Sequence, residues 1–148
     1  ETKTRQTLLT TTWRQRLSCW PECGIIELER PPLVSVTSIE YVDQNGDEQT
    51  LSSSDYSVDT FSKPGRVLRG YGVTWPSLRY QGIVGPVTVE FVAGYGDAED
   101  VPAPFKHAMK LLIGHWFANR EEVSASSMNK TPMAADALLA SVSHGSYP

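Results

Sequence analysis

The stretch that most constrains the fold is residues 87–122, VTVEFVAGYGDAEDVPAPFKHAMKLLIGHWFANREE. Its first five residues alternate apolar and polar side chains, which is the two-residue period of a half-buried strand. Gly94 and Gly96 then break the run, because glycine tolerates the positive φ that a sharp turn needs. Pro102 and Pro104 suit the first turn of a helix, where a missing N–H costs nothing. The stretch therefore predicts a buried strand, a tight turn and a main helix over about residues 102–121.

The main helix is apolar over more than a narrow stripe. At roughly 100° per residue, seven side chains cover about half of its circumference or more; they are Phe105, Ala108, Met109, Leu111, Leu112, Ile113 and Trp116. A small domain offers a helix one sheet face, so the remaining apolar surface needs a second cover, either another subunit or the chain itself wrapped around both sides. We expect Trp116 to belong to the core, so that Trp116→Ala destabilises the monomer by roughly 3–5 kcal/mol.

Composition is that of an ordinary globular domain. The chain has 148 residues, of which 40% are hydrophobic and 20% charged, enough for one domain with a real core. A formal net charge of −4 gives no sequence-wide basicity for nucleic-acid binding. We expect no membrane span and no signal peptide, because no run of 18 apolar residues occurs and the start, ETKTRQ, is polar. The first residue is Glu rather than Met, so either the start is processed or an upstream element is missing.

The region before residue 87 is predicted to be rich in antiparallel strands. We expect strands over residues 8–17, 25–28, 34–43, 48–51, 56–61 and 66–68. The apolar phase slips between Val36 and Ile39, which indicates a bulge or a late strand start. Asn45-Gly46 predicts a hairpin with a type I′ turn, in which both central residues have positive φ.

The character of the chain changes after residue 122. Residues 123–131 are rich in Ser, and residues 133–142 predict a short second helix with a thin apolar stripe. Such a helix is marginal alone, so it needs its own domain or a partner to dock on. The predicted organisation is one domain over residues 1–122, β-rich over 7–92 with the main helix over 102–121. A loop, a short helix and a docking tail follow over 123–148.

Residues that could carry chemistry do not form a recognisable constellation. His107 and His115 are eight residues apart, about 800° around a helix, so they do not face one metal ion. Cys19 and Cys23 form a CxxxC pair without two further ligands nearby, which favours reduced thiols in a reducing compartment over zinc. The sequence therefore predicts no catalytic residues, no metal and no cofactor.

Residues 70–85 form a glycine-rich segment without periodicity. It contains Tyr71, Trp75, Arg79 and Tyr80. We expect an ordered loop whose aromatic side chains pin it to the body of the domain. The alternative is a binding loop in which exposed aromatics stack on sugars or bases.

Three segments together resemble one protein family. They are IELERPPLVSVTSIEYVDQNGDEQTL at 26–51, YSVDT and GRVLRGYGVTWP within 56–76, and the stretch 87–122. In this order they resemble the head–tail connector, or adaptor, proteins of tailed double-stranded DNA bacteriophages. The resemblance spans about residues 7–122, and ALLA at 137–140 is similar to the closing segment of that family.

The resemblance implies an α+β fold, a small helical core with an inserted antiparallel β region, usually preceded by a helix that this sequence lacks. It implies a structural protein of the virion neck, made in the host bacterial cytoplasm. Such adaptors form a ring, usually of twelve copies, under the portal protein. The ring extends the channel for genomic DNA and is the platform for stopper or tail-completion proteins. The alternatives are another neck component, such as a stopper or tail terminator, and a carbohydrate- or nucleic-acid-binding module.

The resemblance and the helix pattern together assign two contact surfaces. The predicted subunit interface lies on the main helix, and Phe117→Ala is expected to weaken assembly; its residues are Phe117, Ile113, Lys110 and Lys106. The predicted portal-docking residues lie in the C-terminal segment; they are Met133, Leu138, Leu139, Val142 and Tyr147. DNA is expected to pass through the ring without sequence-specific binding, because a mildly negative protein does not neutralise phosphates.

Overall fold

The computed structural model describes residues 4–118 and 133–143. These residues contain seven strands, one 3-10 turn and two helices. In chain order they are β1 (Thr11–Leu17), β2 (Ile25–Leu28), β3 (Leu33–Val42), β4 (Glu48–Thr50), the 3-10 turn (Ser53–Asp55), β5 (Tyr56–Asp59), β6 (Gly65–Arg69), β7 (Val87–Ala93), α1 (Ala103–Ala118) and α2 (Met133–Val142). The α+β class is confirmed, and α2 has the predicted bounds.

The strands form two antiparallel sheets. Sheet A has the order β1-β7-β3-β4, and sheet B has the order β2-β6-β5. β7 lies inside sheet A, where Phe91 is paired with Trp13 on one side and with Val36 on the other. Its alternating apolar residues are all buried on one face, as the two-residue period predicts; they are Val87, Val89, Phe91 and Ala93.

The main apolar cluster of the described residues is built by strands of both sheets. β2 and β6 contribute from sheet B, and β3 and β7 contribute from sheet A. Burying each such side chain stabilises the fold by roughly 1.5–3 kcal/mol. The buried members of the cluster are Ile26, Leu28, Leu33, Ile39, Leu51, Val67, Leu78, Val87, Val89, Phe91 and Ala93.

β3 is irregular where the sequence pattern slips. Its register against β7 shifts between Leu33 and Ser35 and again between Val36 and Ser38. The second shift lies within the predicted interval, so the bulge prediction is confirmed. The shift returns Ile39 to the inner face, where it is fully buried.

The hairpin predicted at Asn45-Gly46 forms, but with a different turn. Residues 43–47 connect β3 to β4, and Gly46 has a φ of +97° while Asn45 has no positive φ. Asp43 Oδ1 accepts hydrogen bonds from the backbone N–H groups of Asn45, Gly46 and Asp47 at 2.9–3.0 Å. One carboxylate thus satisfies three donors of a longer loop, and the type I′ prediction is wrong.

The turn after β7 is packed against the N-terminal segment. The backbone N–H of Tyr95 donates to Leu8 O, and that of Thr10 donates to Gly96 O. A Cβ added to Gly94, which has a φ of +134°, would lie 2.5 Å from Leu9 O. The glycines therefore let two chain segments approach closely here, and β1 begins at Thr11 rather than at residue 8.

α1 and α2 pack against each other. The helix contact is more extensive than any contact of α1 with a strand. Phe105 and Ala108 of α1 and Ala135 of α2 are buried. The predicted C-terminal end of the main helix, residues 119–121, lies outside the described residues. Neither helix in the described part of the chain is both long and apolar enough to cross a membrane.

Trp116 does not belong to the core of the monomer. It is 64% exposed, whereas Phe105 is 2% exposed. The two residues differ by only about 20° around the helix but by about 16 Å along its axis. The body of the domain covers the first turns of α1 and leaves the last turns open, so the core prediction for Trp116 is wrong.

Candidate functional site

The last turns of α1 carry an exposed apolar surface. We call its four residues the α1 apolar surface: Met109, Ile113, Trp116 and Phe117. Ile113 is 61% exposed and Phe117 is 68% exposed. The four side chains span about 100° of the helix. Each large apolar side chain left in water forgoes roughly 1.5–3 kcal/mol of burial, so a contiguous surface of this kind is typical of a protein interface.

The four predicted interface residues lie on one stripe of α1. Lys106, Lys110, Ile113 and Phe117 follow the spacing i, i+4, i+7 and i+11, which spans about 60° of the helix. Lys106 is half-buried and its Nζ donates to Glu99 O at 2.8 Å, whereas Lys110 is exposed. The stripe thus carries two cationic side chains toward its N-terminal end and two apolar side chains toward its C-terminal end, which allows ion pairs beside an apolar contact.

The predicted docking residues of α2 differ in their exposure. Met133 is 88% exposed. Leu138, Leu139 and Val142 are half-buried on a helix that packs against α1. The sequence allowed the apolar stripe of α2 to dock either on its own domain or on a partner. In the structure, one side of this stripe packs on its own domain. Tyr147 lies outside the described residues.

A buried polar network links both ends of the chain. Gln6 is 1% exposed, and its Nε2 donates to Val142 O at the end of α2. Its Oε1 accepts from the Tyr95 hydroxyl at 2.7 Å. Burial raises the pKa of Tyr95, which keeps the phenol protonated as the donor. Sequence reasoning missed Gln6, because a single buried amide leaves no periodic signal.

The loop of residues 70–85 is pinned to the body by part of its aromatic set. Trp75 stacks on Trp20 with ring centroids 4.6 Å apart, and Trp20 Nε1 donates to Pro76 O at 2.8 Å. Tyr71 and Tyr80 are exposed. The prediction of an ordered, pinned loop is confirmed for Trp75, while the two tyrosines remain available to a partner.

Chemistry-bearing side chains are dispersed in the part of the chain that the structure describes. No group of three or more His, Cys, Asp or Glu side chains there could hold a metal ion. Cys19 and Cys23 are exposed free thiols.

Comparison with known proteins identifies the fold. No protein-family model matches the chain, and no curated protein matches its sequence. Solved structures do match, and three of them share 20% sequence identity with this chain over 99% of its length. They are a chain in the neck of a native gene transfer agent (GTA) particle computed with C12 symmetry (TM-score 0.78, 76% of that chain), a chain in the virion of a native GTA particle (0.76, 72%) and a chain in the neck of an empty GTA particle computed with C6 symmetry (0.78, 72%).

The chain thus has the fold of proteins found in the neck of phage-like gene transfer agent particles. This finding agrees with the resemblance to head–tail connectors, which is confirmed at the level of the fold.

Proposed function

We propose that this chain is a structural protein of a virion neck, a head–tail connector that assembles as a ring under the portal. The ring extends the DNA channel and provides the platform for stopper or tail-completion proteins. The observation that carries the proposal is the exposure of the α1 apolar surface on a chain with the fold of particle-neck proteins. In this proposal the protein lies at the head–tail junction of the particle and performs no catalysis.

The symmetry of the similar structures supports a ring. The similar neck structures were computed with C12 and C6 symmetry. In a cyclic ring every subunit meets its two neighbours through two different surfaces, and the contact closes on itself. The α1 apolar surface and the stripe with Lys106 and Lys110 supply one of these surfaces, and twelve is the expected copy number.

The portal contact is proposed for the C-terminal segment. Met133 is 88% exposed and is therefore the described residue best suited to meet the portal. Leu138, Leu139 and Val142 extend this surface from their half-buried positions. The proposal also includes Tyr147, which lies outside the described residues. Genomic DNA passes through the ring without sequence-specific contacts, consistent with the net charge of −4.

The test is binding to DNA-filled, tailless heads of the parent particle, followed by electron microscopy of the neck. A ring of density under the portal is the expected result, and its symmetry gives the copy number. Protein found only at a tail end would make it a tail terminator instead. Absence from both heads and tails would refute a neck role.

Two variants test which surface makes the ring contact and which makes the portal contact. Phe117→Ala is expected to weaken ring formation, and Met133→Ser is expected to weaken attachment to heads, with both monomers folded. Phe61→Ala is the matched control, because Phe61 is 95% exposed on a loop of the β region. If Phe61→Ala reduced assembly as much as Phe117→Ala, the ring contact would not lie on α1.

A further inference from the structure

The solvent face of sheet A carries a directional charge pattern. The register between strands defines this face, because β7 buries its other face. We call it the outer face of sheet A; its polar residues are Thr12, Arg14 and Arg16 on β1, Thr88 and Glu90 on β7, Ser35, Ser38 and Glu40 on β3, and Glu48 and Thr50 on β4. The cationic side chains of this face are on β1, and the acidic ones are on the other three strands.

One cross-strand ion pair neutralises part of this pattern. Arg14 Nε lies 2.5 Å from Glu90 Oε2, and the pKa of Arg14 is raised by this hydrogen bond. Arg16 remains at the β1 edge, and Glu40 and Glu48 remain toward the β4 edge. These three residues are exposed and have no ion-pair partner among the residues that the structure describes. The sheet therefore has a positive edge and a negative edge, three strand spacings or about 14 Å apart.

Neighbouring charges keep this polarity. At the β4 edge the hairpin adds Asp43 and Asp47, against one cation, Arg79, whose guanidinium donates to Asn45 O at 3.3 Å. At the β1 edge, Glu29 lies toward the inner face, where its backbone N–H donates to Gln15. The β4 edge therefore stays acidic, and Arg16 stays the outermost charge on the outer face of β1.

We propose that the β1 edge of one copy faces the β4 edge of the next copy in the ring, with Arg16 directed toward Glu40 and Glu48. The proposal rests on the ring of the proposed function. Exposed charges of this kind add little to the stability of a monomer. Across an interface, complementary charges orient the partners, and like charges are strongly disfavoured. A head-to-tail contact between identical copies joins two different surfaces, and opposite edges of opposite sign make these surfaces complementary.

A second copy fits this face better than DNA does. Binding to a duplex requires cations that neutralise phosphates, and the unpaired charges of the outer face are one arginine against two glutamates. The charge pattern also sets the direction of the ring, since two β1 edges or two β4 edges would repel each other. The apolar contact on α1 supplies buried area, and the charged edges supply orientation.

Charge reversal tests the contact. Arg16→Glu alone and Glu48→Arg alone are each expected to weaken every contact between neighbouring copies by about tenfold, or about 1.4 kcal/mol per contact. Because every contact of the ring is affected, the fraction of assembled rings on portal-bearing heads should fall. Lys63→Glu, which makes the same charge change on an exposed loop of the β region, is the control and is expected to assemble normally. Unfolding curves of the variants should match that of the wild type.

Mixing the two single variants is the decisive step. In a ring in which the two variants alternate, half of the contacts join the reversed β1 edge of one variant to the reversed β4 edge of the other. The other half join two unreversed edges. Every contact then pairs opposite charges, so an equimolar mixture is expected to assemble. The double variant Arg16→Glu/Glu48→Arg is expected to assemble alone for the same reason. A symmetric contact between like edges would not be restored in the double variant.

The outcomes separate this inference from the proposed function. If wild-type protein forms no ring on heads, the neck role fails and this inference falls with it. If wild-type protein forms rings and both single variants form them equally well, the neck role stands and the charged-edge contact is refuted. Failure of the folded double variant and of the mixture to assemble would also refute it.

Discussion

Gly94 lies where β7 ends and the N-terminal segment crosses the turn. Its φ is +134°, and an added Cβ would lie 2.5 Å from Leu9 O, a backbone atom that cannot rotate away. We expect Gly94→Ala to lower the free energy of unfolding by at least about 1–3 kcal/mol, measured by chemical denaturation. Gly114→Ala is the control. It adds a Cβ with no atom within 4 Å in α1, so it should stabilise the protein by about 0.5–1 kcal/mol.

Asp43 makes the β3–β4 hairpin sensitive to acid. Hydrogen bonds from the backbone N–H groups of Asp47, Asn45 and Gly46 lower its pKa, because they favour the carboxylate. A carboxyl group with a lowered pKa in the folded state contributes stability above its unfolded pKa of about 3.9 and loses it as pH falls through the folded value. Wild-type stability should therefore fall below about pH 4.

Asp43→Asn tests this dependence. The amide oxygen can still accept hydrogen bonds but does not titrate, so the variant should lose stability at neutral pH and lose less of it on acidification. The stability difference from wild type should therefore shrink at low pH. Hydrogen bonds from Ser62 and Phe61 lower the pKa of Asp59, and this pKa should be the same in the variant as in the wild type. Denaturation midpoints measured across pH 2–7 give the comparison. A constant difference between variant and wild type across this range would contradict the role given to Asp43.

At the scale of the element, α1 separates fold stability from assembly. Phe105 is buried in its first turn, and Trp116 is exposed in its last turns. We expect Phe105→Ala to cost roughly 3–5 kcal/mol of unfolding free energy in the isolated monomer. Trp116→Ala should change it by no more than about 0.5 kcal/mol, while reducing ring formation on heads. Equal losses of thermal stability would mean that the last turns of α1 are covered in the monomer.

At the scale of the whole molecule, Gln6 ties the N-terminal segment to α2 and to the turn after β7. We expect Gln6→Ala to lower stability by about 1–3 kcal/mol, because the Tyr95 hydroxyl and the Val142 carbonyl then lose a buried partner. Amide hydrogen exchange should accelerate in α2.

Gln15→Ala is the matched control for the chain-end link. Gln15 also bridges two segments through its side-chain amide, but it joins β1 to Glu27 and Glu29 around the end of β2. Its loss should accelerate exchange in β1 and β2 and leave α2 unchanged. Faster exchange in α2 for both variants would indicate a general loosening rather than the specific link.

Local patterns in the sequence are enough to predict the kind and order of most elements. The alternation over residues 87–91 placed β7, the slip near Val36 placed the bulge in β3, and the thin stripe over 133–142 placed α2. These signals are local, because a strand or a helix repeats its apolar side chains at its own period. The resemblance to head–tail connectors, likewise carried by linear segments, agreed with the fold.

Which apolar and charged residues remain exposed depends on long-range packing. Periodicity gives the direction in which a side chain points around a helix. It does not say how much of the length of the helix the rest of the domain covers. Phe105 and Trp116 therefore looked alike in sequence and differ in burial. The charges of sheet A became a pattern only when pairing brought four separate strands side by side, because register, which is set by long-range contacts, decides which side chains share a face.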